Sequence, residues 1–249
     1  MVRRHGSGGN RRKKRMSRVI RRKVVKRAPK PRRIVIGGMH RSCSTWATNA
    51  VRLLTIAAGK SFKQSRGPAT FKGLKPAQVH IIKAHRYTPA FKPAFLIVTM
   101  RHLFDAVTSE LRMGLQGGMD AYRRFGIDDE RTVQRMDYIV SRSYEWVRVA
   151  DVVMRYEDIV EDKVWHIEWL AETLYPGVTI DAEAIDTELE AIPGRVTVDR
   201  TQPYMMSPGH VTGVGVGGWR KHMPDDLLAF MIDRYSNWFK VHGYEGGYE

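Results

Sequence analysis

Apolar residues in this chain fall into short continuous runs separated by longer amphipathic stretches. Ile34-Val35-Ile36 is the first run, closed by Gly37-Gly38, and Val79–Lys83 and Phe95–Met100 are two more, β-branched and bounded by proline-containing loops. Short runs without polar alternation are what strands buried on both faces require. The intervening spacing is helical from Thr45 to about Ala58, Leu103 to about Met113 and Glu130 to Val149. A further apolar run, Val152 to Tyr156, leads into a long helical pattern ending at Leu174, and Pro224 to Val241 is helical again. Strands alternating with helices predict an α/β fold, a single domain with a central parallel sheet flanked by helices on both faces. No internal repeat is visible. Residues 193–218, with Pro193, Pro203, Pro208 and six glycines, read as a long irregular loop of the kind that serves as a lid or binding segment.

Charge divides the chain in two. The formal charge of the 249 residues is +16, and residues 1–33 hold sixteen Lys or Arg and no acid. Without them, 26 bases face 26 acids, so residues 34–249 form a neutral domain behind a basic arm. A globular body with a generally basic nucleic-acid face is thereby excluded; a nucleic-acid-binding arm is not. Gly6 to Asn10 cannot build a core, so the arm is expected to be disordered alone. Met16, Val19, Ile20, Val24 and Val25 sit near helical spacing, which suits a basic amphipathic helix formed on an anionic partner. A solvated tail, contact with nucleic acid or an anionic membrane surface, and an organelle transit segment all remain open for it. Cys43 is the single cysteine, which excludes an intramolecular disulfide and suits a reducing compartment. No apolar run approaches the roughly 18 residues of a spanning helix, and no apolar segment follows the basic start. The expectation is a soluble, cytoplasmic protein.

The candidate chemistry starts where the first strand hands over to a helix, at Gly38-Met39-His40-Arg41-Ser42-Cys43-Ser44-Thr45-Trp46. Backbone amides and the helix dipole favour an anion there. Against the nucleotide-triphosphatase pattern G-x4-G-K-[ST], Cys43 stands for the second glycine and Ser44 for the lysine, which disfavours an ATPase or a small-molecule kinase. An ordinary turn capped by Ser44 or Thr45 is the plainer alternative. A thiol phosphatase would need an Arg six residues beyond Cys43, where Asn49 stands.

His40 to Trp46 resembles the phosphosulfate-binding loop P-K-S-G-T-T-W of sulfotransferases that use 3′-phosphoadenosine-5′-phosphosulfate (PAPS), with Arg41 at the lysine position. Arg101-His102-Leu103-Phe104-Asp105-Ala106-Val107-Thr108-Ser109 is similar to that family's R-[DN]-P-x-[DE]-x-x-x-S element. Ile81-Ile82-Lys83-Ala84-His85 resembles I-I-K-T-H, Tyr156-Glu157-Asp158-Ile159 resembles Y-E-D-[LM], and Gly217-Gly218-Trp219-Arg220-Lys221-His222 resembles G-D-W-[KR]-N-H. The five segments keep the family's order and span most of residues 33–240.

The resemblance implies a P-loop-like sulfotransferase domain and PAPS as sulfuryl donor. His85 would be the catalytic base, and Lys83 and Arg41 would offset charge at the transferring group. Arg41, Ser42, Cys43, Ser44, Thr45 and Trp46 would cradle the phosphosulfate, Arg101 and Ser109 would hold the 3′-phosphate, and Tyr156 would lie near the adenine. Imidazole suits the base because its ordinary pKa of about 6.5 leaves it largely neutral near pH 7. No metal is implied, since the nine histidines are scattered. Trp219 reads either as part of the late motif or as an anchor that packs a lid on the core.

Three departures stand out. Cys43 replaces a glycine, so the backbone there either avoids positive φ or the loop differs. Leu103 replaces a proline at a helix start. The family's R-K-G triplet reads Thr212-Gly213-Val214, which leaves Arg195, Arg200, His210 and Arg220 as unranked substitutes. The acceptor, a small molecule, carbohydrate or lipid, would be selected by residues 60–78, 112–137 and 193–214, with Gly114, Gly117 and Gly118 at a pocket edge. From another class, the chain reads as a nucleic-acid or membrane-surface binding protein acting through its arm, with an inactive nucleotide-binding body.

Overall fold

A computed structural model describes residues 33–67, 78–112, 130–195, 206 and 213–244. The arm, apart from Arg33, lies outside them, as do Arg200, His210, Gly114, Gly117 and Gly118. Five strands form one sheet: β1 (Arg33–Gly38), β2 (Phe62–Arg66), β3 (Val79–Lys83), β4 (Phe95–Met100) and β5 (Val152–Arg155). The order is β2-β3-β1-β4-β5 and every pairing is parallel. The helices are α1 (Ser44–Ala57), α2 (Leu103–Arg112), α3 (Glu130–Val149), α4 (Tyr156–Glu161), α5 (Lys163–Leu174), α6 (Ala182–Arg195) and α7 (Asp225–His242), with short 3-10 turns at Pro89–Phe91 and Gly218–Lys221.

The uninterrupted apolar runs explain why both faces are covered. Successive strand residues point to opposite sides, and they join two separate cores. Ile34 and Ile36 of β1, Ile81 of β3 and Ile97 of β4 pack with Ala47 and Leu54 of α1, Leu170 of α5 and Leu189 of α6. Val35, Ile82, Leu96 and Val98 face the other way, against Phe104 of α2, Trp146 of α3 and Trp238 of α7. Gly37 has no side chain because the Trp146 indole fills that space: a Cβ there would lie 2.5 Å from the ring. Gly38 is required twice over, by a φ of 137° and by the Thr99 carbonyl 2.2 Å from where a Cβ would stand.

Several boundaries differ from the periodicity. β2 falls in a segment without an apolar run, because Phe-Lys-Gln-Ser-Arg is polar and half-exposed; among the described residues it pairs with β3 alone. The long pattern ending at Leu174 is two helices. Asp162 breaks it, accepting a bond from the Trp165 amide as the N-cap of α5. α6 is not marked by the periodicity, and it carries Pro193 within its last turn, so Pro193 to Arg195 belong to a helix and not to a loop. Among the described residues no helix is long and apolar enough to cross a membrane.

Candidate active site

In an open parallel sheet, ligands bind beyond the carboxyl ends of the strands where connections leave in opposite directions. Here that point is β1, flanked by β3 and β4. Ile36 is in register with Lys83 and Gly38 with Thr99, so the β1–α1 loop, the Lys83–His85 segment and Arg101 emerge side by side. They border a pocket of about 520 Å³ lined by His40 to Trp46, His85, Arg101, Ser109, Glu110, Arg135, Tyr156, Met206 and Gly213 to Gly215.

The loop keeps the backbone a glycine would favour. Cys43 has φ 66° and Arg41 φ 62°, so of the two alternatives for Cys43 it is the avoidance of positive φ that fails. Each such residue costs on the order of 1–2 kcal/mol. Strain of this kind persists where surrounding structure enforces it, and here Ser42 does so. Its fully buried hydroxyl donates to the Met39 carbonyl at 2.7 Å and lies 2.8 Å from Thr99 Oγ1. Cys43, not Ser44 or Thr45, is the N-cap of α1, with no side-chain capping bond and no acid in the first turn. The ordinary capped turn is therefore not what forms. Burial pushes the Cys43 thiol well above its usual range, which disfavours the thiolate.

Three cations converge on this loop. Lys83, 7% exposed, donates from Nζ to Thr45 Oγ1. Burial, then Arg66 and Arg41, lower its pKa to about 7. Arg41 Nε donates to Ser109 Oγ at 3.0 Å. Burial lowers the Arg41 pKa, against the pull of the Glu110 carboxylate. Arg101, 4% exposed, donates to the Arg41 carbonyl at 3.2 Å and to the Val214 and Gly215 carbonyls at 2.5 and 3.2 Å, while its Nε is buried without a partner. Its guanidinium lies 4.1 Å from the centre of the Tyr156 ring, and burial raises the Tyr156 pKa.

His85 sits just beyond β3. Burial, then His40 and Lys83, lower its pKa to about 3, and its Nδ1 is buried without a partner. The Trp146 indole N–H fixes the backbone here by donating to the His85 carbonyl at 3.2 Å. Next to it, Arg135 donates to the Glu110 carboxylate and, at 3.1 Å, to His40 Nδ1. His40 packs on His85 with ring centres 4.3 Å apart.

Every residue the resemblance named is thus at or beside one pocket, with Lys83 beneath the loop. Among the proposed substitutes for the R-K-G triplet, Arg195 pairs with Glu188 and Arg220 lies over the Trp219 ring; neither lines the pocket. Trp219 is 5% exposed and packs on His102 and Phe104. Asp105 ties it down, accepting from the Gly217 and Trp219 amides at 2.8 and 3.0 Å. His40, Glu110 and Arg135 were not singled out by sequence. Only the position of His40 inside the phosphate-loop motif pointed to it. Among the described residues no group of three or more metal-ligating side chains is gathered.

The fold and this site define an α/β protein with a pocket beside the strand-to-helix loop at the switch point of a parallel sheet, and solved structures share that fold. Mouse sulfotransferase SULT7A1 complexed with PAP (the product nucleotide left when PAPS loses its sulfuryl group) matches with a TM-score of 0.59 at 12% identity, covering 87% of this chain and 88% of its own. Retinol dehydratase in complex with androsterone and inactive cofactor PAP matches at 0.54 and 14%, covering 86% and 81%. Its complex with retinol and PAP matches at 0.52 and 14%, covering 86% and 82%. The fold is a sulfotransferase fold. No sequence-family profile and no curated protein sequence matches the chain.

Proposed function

We propose that the protein is a PAPS-dependent sulfotransferase that modifies a hydroxyl or amine acceptor by in-line displacement. The observation that carries this reading is the meeting of an uncapped helix N-terminus, Lys83, Arg101 and His85 around one pocket. The residues fit the donor nucleotide. The α1 amides lack a side-chain cap, and Arg101 holds a buried, unpartnered Nε where an anionic oxygen would satisfy it. PAPS supplies, when bound, an activated sulfuryl group whose leaving group is a phosphate.

The chain's own groups divide the remaining work. The loop amides, Ser44, Thr45 and Trp46 would hold the 5′-phosphosulfate end, and Ser42, Cys43 and Arg41 would shape that cradle. Lys83 and Arg41 would offset charge developing on the transferring and leaving oxygens. Arg101 and Ser109 would hold the 3′-phosphate, with Tyr156 beside the adenine; Arg200 and His210, outside the described residues, stay open as substitutes for the R-K-G triplet. His85 would accept the acceptor's proton. With a pKa of about 3 it is neutral at physiological pH, so its lone pair is available. The same cations that depress its basicity are compensated once an anionic ligand lies among them, which raises the basicity of His85 when the ligand is in place.

The two retinol dehydratase complexes hold androsterone or retinol together with PAP, and a pocket of about 520 Å³ admits a small-molecule acceptor, or one sugar or lipid head group of a larger one. The test is turnover of labelled PAPS by the full chain with a panel of alcohols, phenols, sugars and amines. PAP release is expected, and His85→Ala should lower kcat by about 10²- to 10⁴-fold while PAP affinity changes less than two-fold. If no acceptor reacts and neither nucleotide raises the Tm, the reading is wrong.

A further inference from the structure

The three residues that sequence did not single out, His40, Arg135 and Glu110, line the same pocket, and the sulfotransferase reading assigns them no role. Their geometry determines a protonation state. Arginine is a donor only, so Arg135 Nη2, 3.1 Å from His40 Nδ1, makes that nitrogen the acceptor. Glu110 Oε1 is the other candidate partner, but at 3.8 Å from Nδ1 it is beyond hydrogen-bond reach. With Nδ1 accepting, the neutral ring carries its proton on Nε2. That N–H is buried and has no partner among the described residues.

Arg135 is itself held in place, donating from Nε at 2.9 Å and from Nη2 to the Glu110 carboxylate, whose side chain is 7% exposed. Glu110, Arg135 and His40 therefore form a relay that starts on α2, crosses to α3 and ends on the β1–α1 loop. Tyr138 lies edge-on to His40 and limits its rotation, with ring centres 5.5 Å apart. The His40 ring packs 4.3 Å from that of His85 and both residues line the pocket, so the two imidazoles stand side by side at one ligand site. A hydroxyl has one proton to give and two lone pairs. If the proton goes to His85 and one lone pair attacks, the second lone pair accepts from a donor, and an unpartnered imidazole N–H beside His85 meets that need.

We infer that His40 is an acceptor-binding residue, a neutral imidazole fixed in its Nε2–H form by the Glu110–Arg135 pair, whose free N–H orients the acceptor oxygen against His85. Glu110 and Arg135 are positioning residues that act through it. The inference rests on the sulfotransferase reading for the identity of the acceptor, whereas the tautomer does not depend on that reading.

Two measurements test it on the full chain. In steady-state kinetics with PAPS and a reactive acceptor, His40→Ala should lower kcat by about ten-fold or more. PAP affinity should stay within two-fold, and His40→Gln, which keeps an amide N–H at the Nε2 position, should recover part of the loss. Equal losses in the two variants, a kcat within two-fold of wild type, or weakened PAP binding would each overturn the role. In ¹⁵N-imidazole spectra, with the His40 signal assigned by its absence in His40→Ala, wild type should show Nδ1 unprotonated and Nε2 protonated. Arg135→Met should give a mixture of tautomers. A protonated Nδ1 in wild type overturns the inference even if turnover is normal. Wild type that binds PAP and modifies no acceptor overturns the sulfotransferase reading and the role given to the His40 N–H, and leaves the tautomer to be decided by the spectra.

Discussion

The two sides of the pocket handle positive charge differently. On the Arg101 side, the hydrogen bonds of Lys83 and Arg101 go to neutral oxygens: the Thr45 hydroxyl and the carbonyls of Arg41, Val214 and Gly215. On the other side, Arg135 is hydrogen-bonded to a carboxylate, and the imidazoles of His40 and His85 are held neutral by burial and neighbouring cations. Burying a cation against neutral dipoles is costly, and the cost is recovered only when an anion arrives. A side built that way is suited to a polyanionic nucleotide. One whose charges are already balanced is suited to orienting a neutral hydroxyl. The net charge of the whole chain does not show this distinction.

The largest effect that could break the comparison is at Arg101. Its fork already holds the Gly213–Gly215 segment through carbonyls, and those bonds are exchangeable for stronger ones to an anion. Arg101→Ala should weaken PAP binding by about 100-fold or more, in line with the loss of a buried charged partner, measured by calorimetry with the protein's Tm recorded alongside. Arg135→Ala, on the acceptor side, should alter PAP affinity by less than three-fold. Equal losses in the two variants would mean that the pocket is not divided as described.

Much of the anion side was legible in sequence because its chemistry is local. Gly37-Gly38, the loop to Trp46, Lys83-Ala84-His85 and Arg101 to Ser109 each sit where a strand ends, and apolar runs mark strand ends well. The cluster of His40, Arg135 and Glu110 was not legible, because its organisation is a pairing between helices. Glu110 and Arg135 are twenty-five residues apart, and nothing in the periodicity of either helix predicts that they meet. His40 occupies the place of a proline in the resembling motif, and its role follows only from what Arg135 donates to. The missed elements have similar causes: β2 is a polar strand that pairs, among the described residues, with β3 alone, and α6 tolerates a proline near its end that reads as a breaker.

A smaller effect sharpens the contrast through pH. Lys83 has a pKa of about 7, and an anion bound beside it raises that value, so binding favours the protonated form. The sign follows: affinity for PAP falls as pH rises above 7, and binding at pH 8 takes up a proton. Phosphate groups with a second pKa of about 6 are already ionised in this range. Between pH 7 and 8.5 the dissociation constant should rise about ten-fold. Lys83→Arg, permanently charged, should show a flat profile. A wild-type profile as flat as that of Lys83→Arg would remove Lys83 from the anion side.

A last prediction concerns stability, and it separates the pocket imidazoles from those of the core. Burial lowers the pKa of His40, His102 and His242 to about 4 and that of His85 to about 3, against an ordinary 6.5. In each case the unfolded chain binds a proton that the folded one refuses. Stability is therefore complete above pH 6.5 and is lost as pH falls from 6.5 toward 4, by about 1–2 kcal/mol per histidine at pH 5. The Tm should drop between pH 7.5 and pH 5. His102 lies outside the pocket, among Phe104, Trp219, Phe239 and Tyr244, with both ring nitrogens buried and unpartnered. His102→Phe removes its share of the acid sensitivity and has no reason to alter PAP binding, so its Tm difference between the two pH values should be smaller than that of wild type. An unchanged difference would place the acid sensitivity elsewhere, and the pocket pair His40 and His85 would then be the groups to replace next.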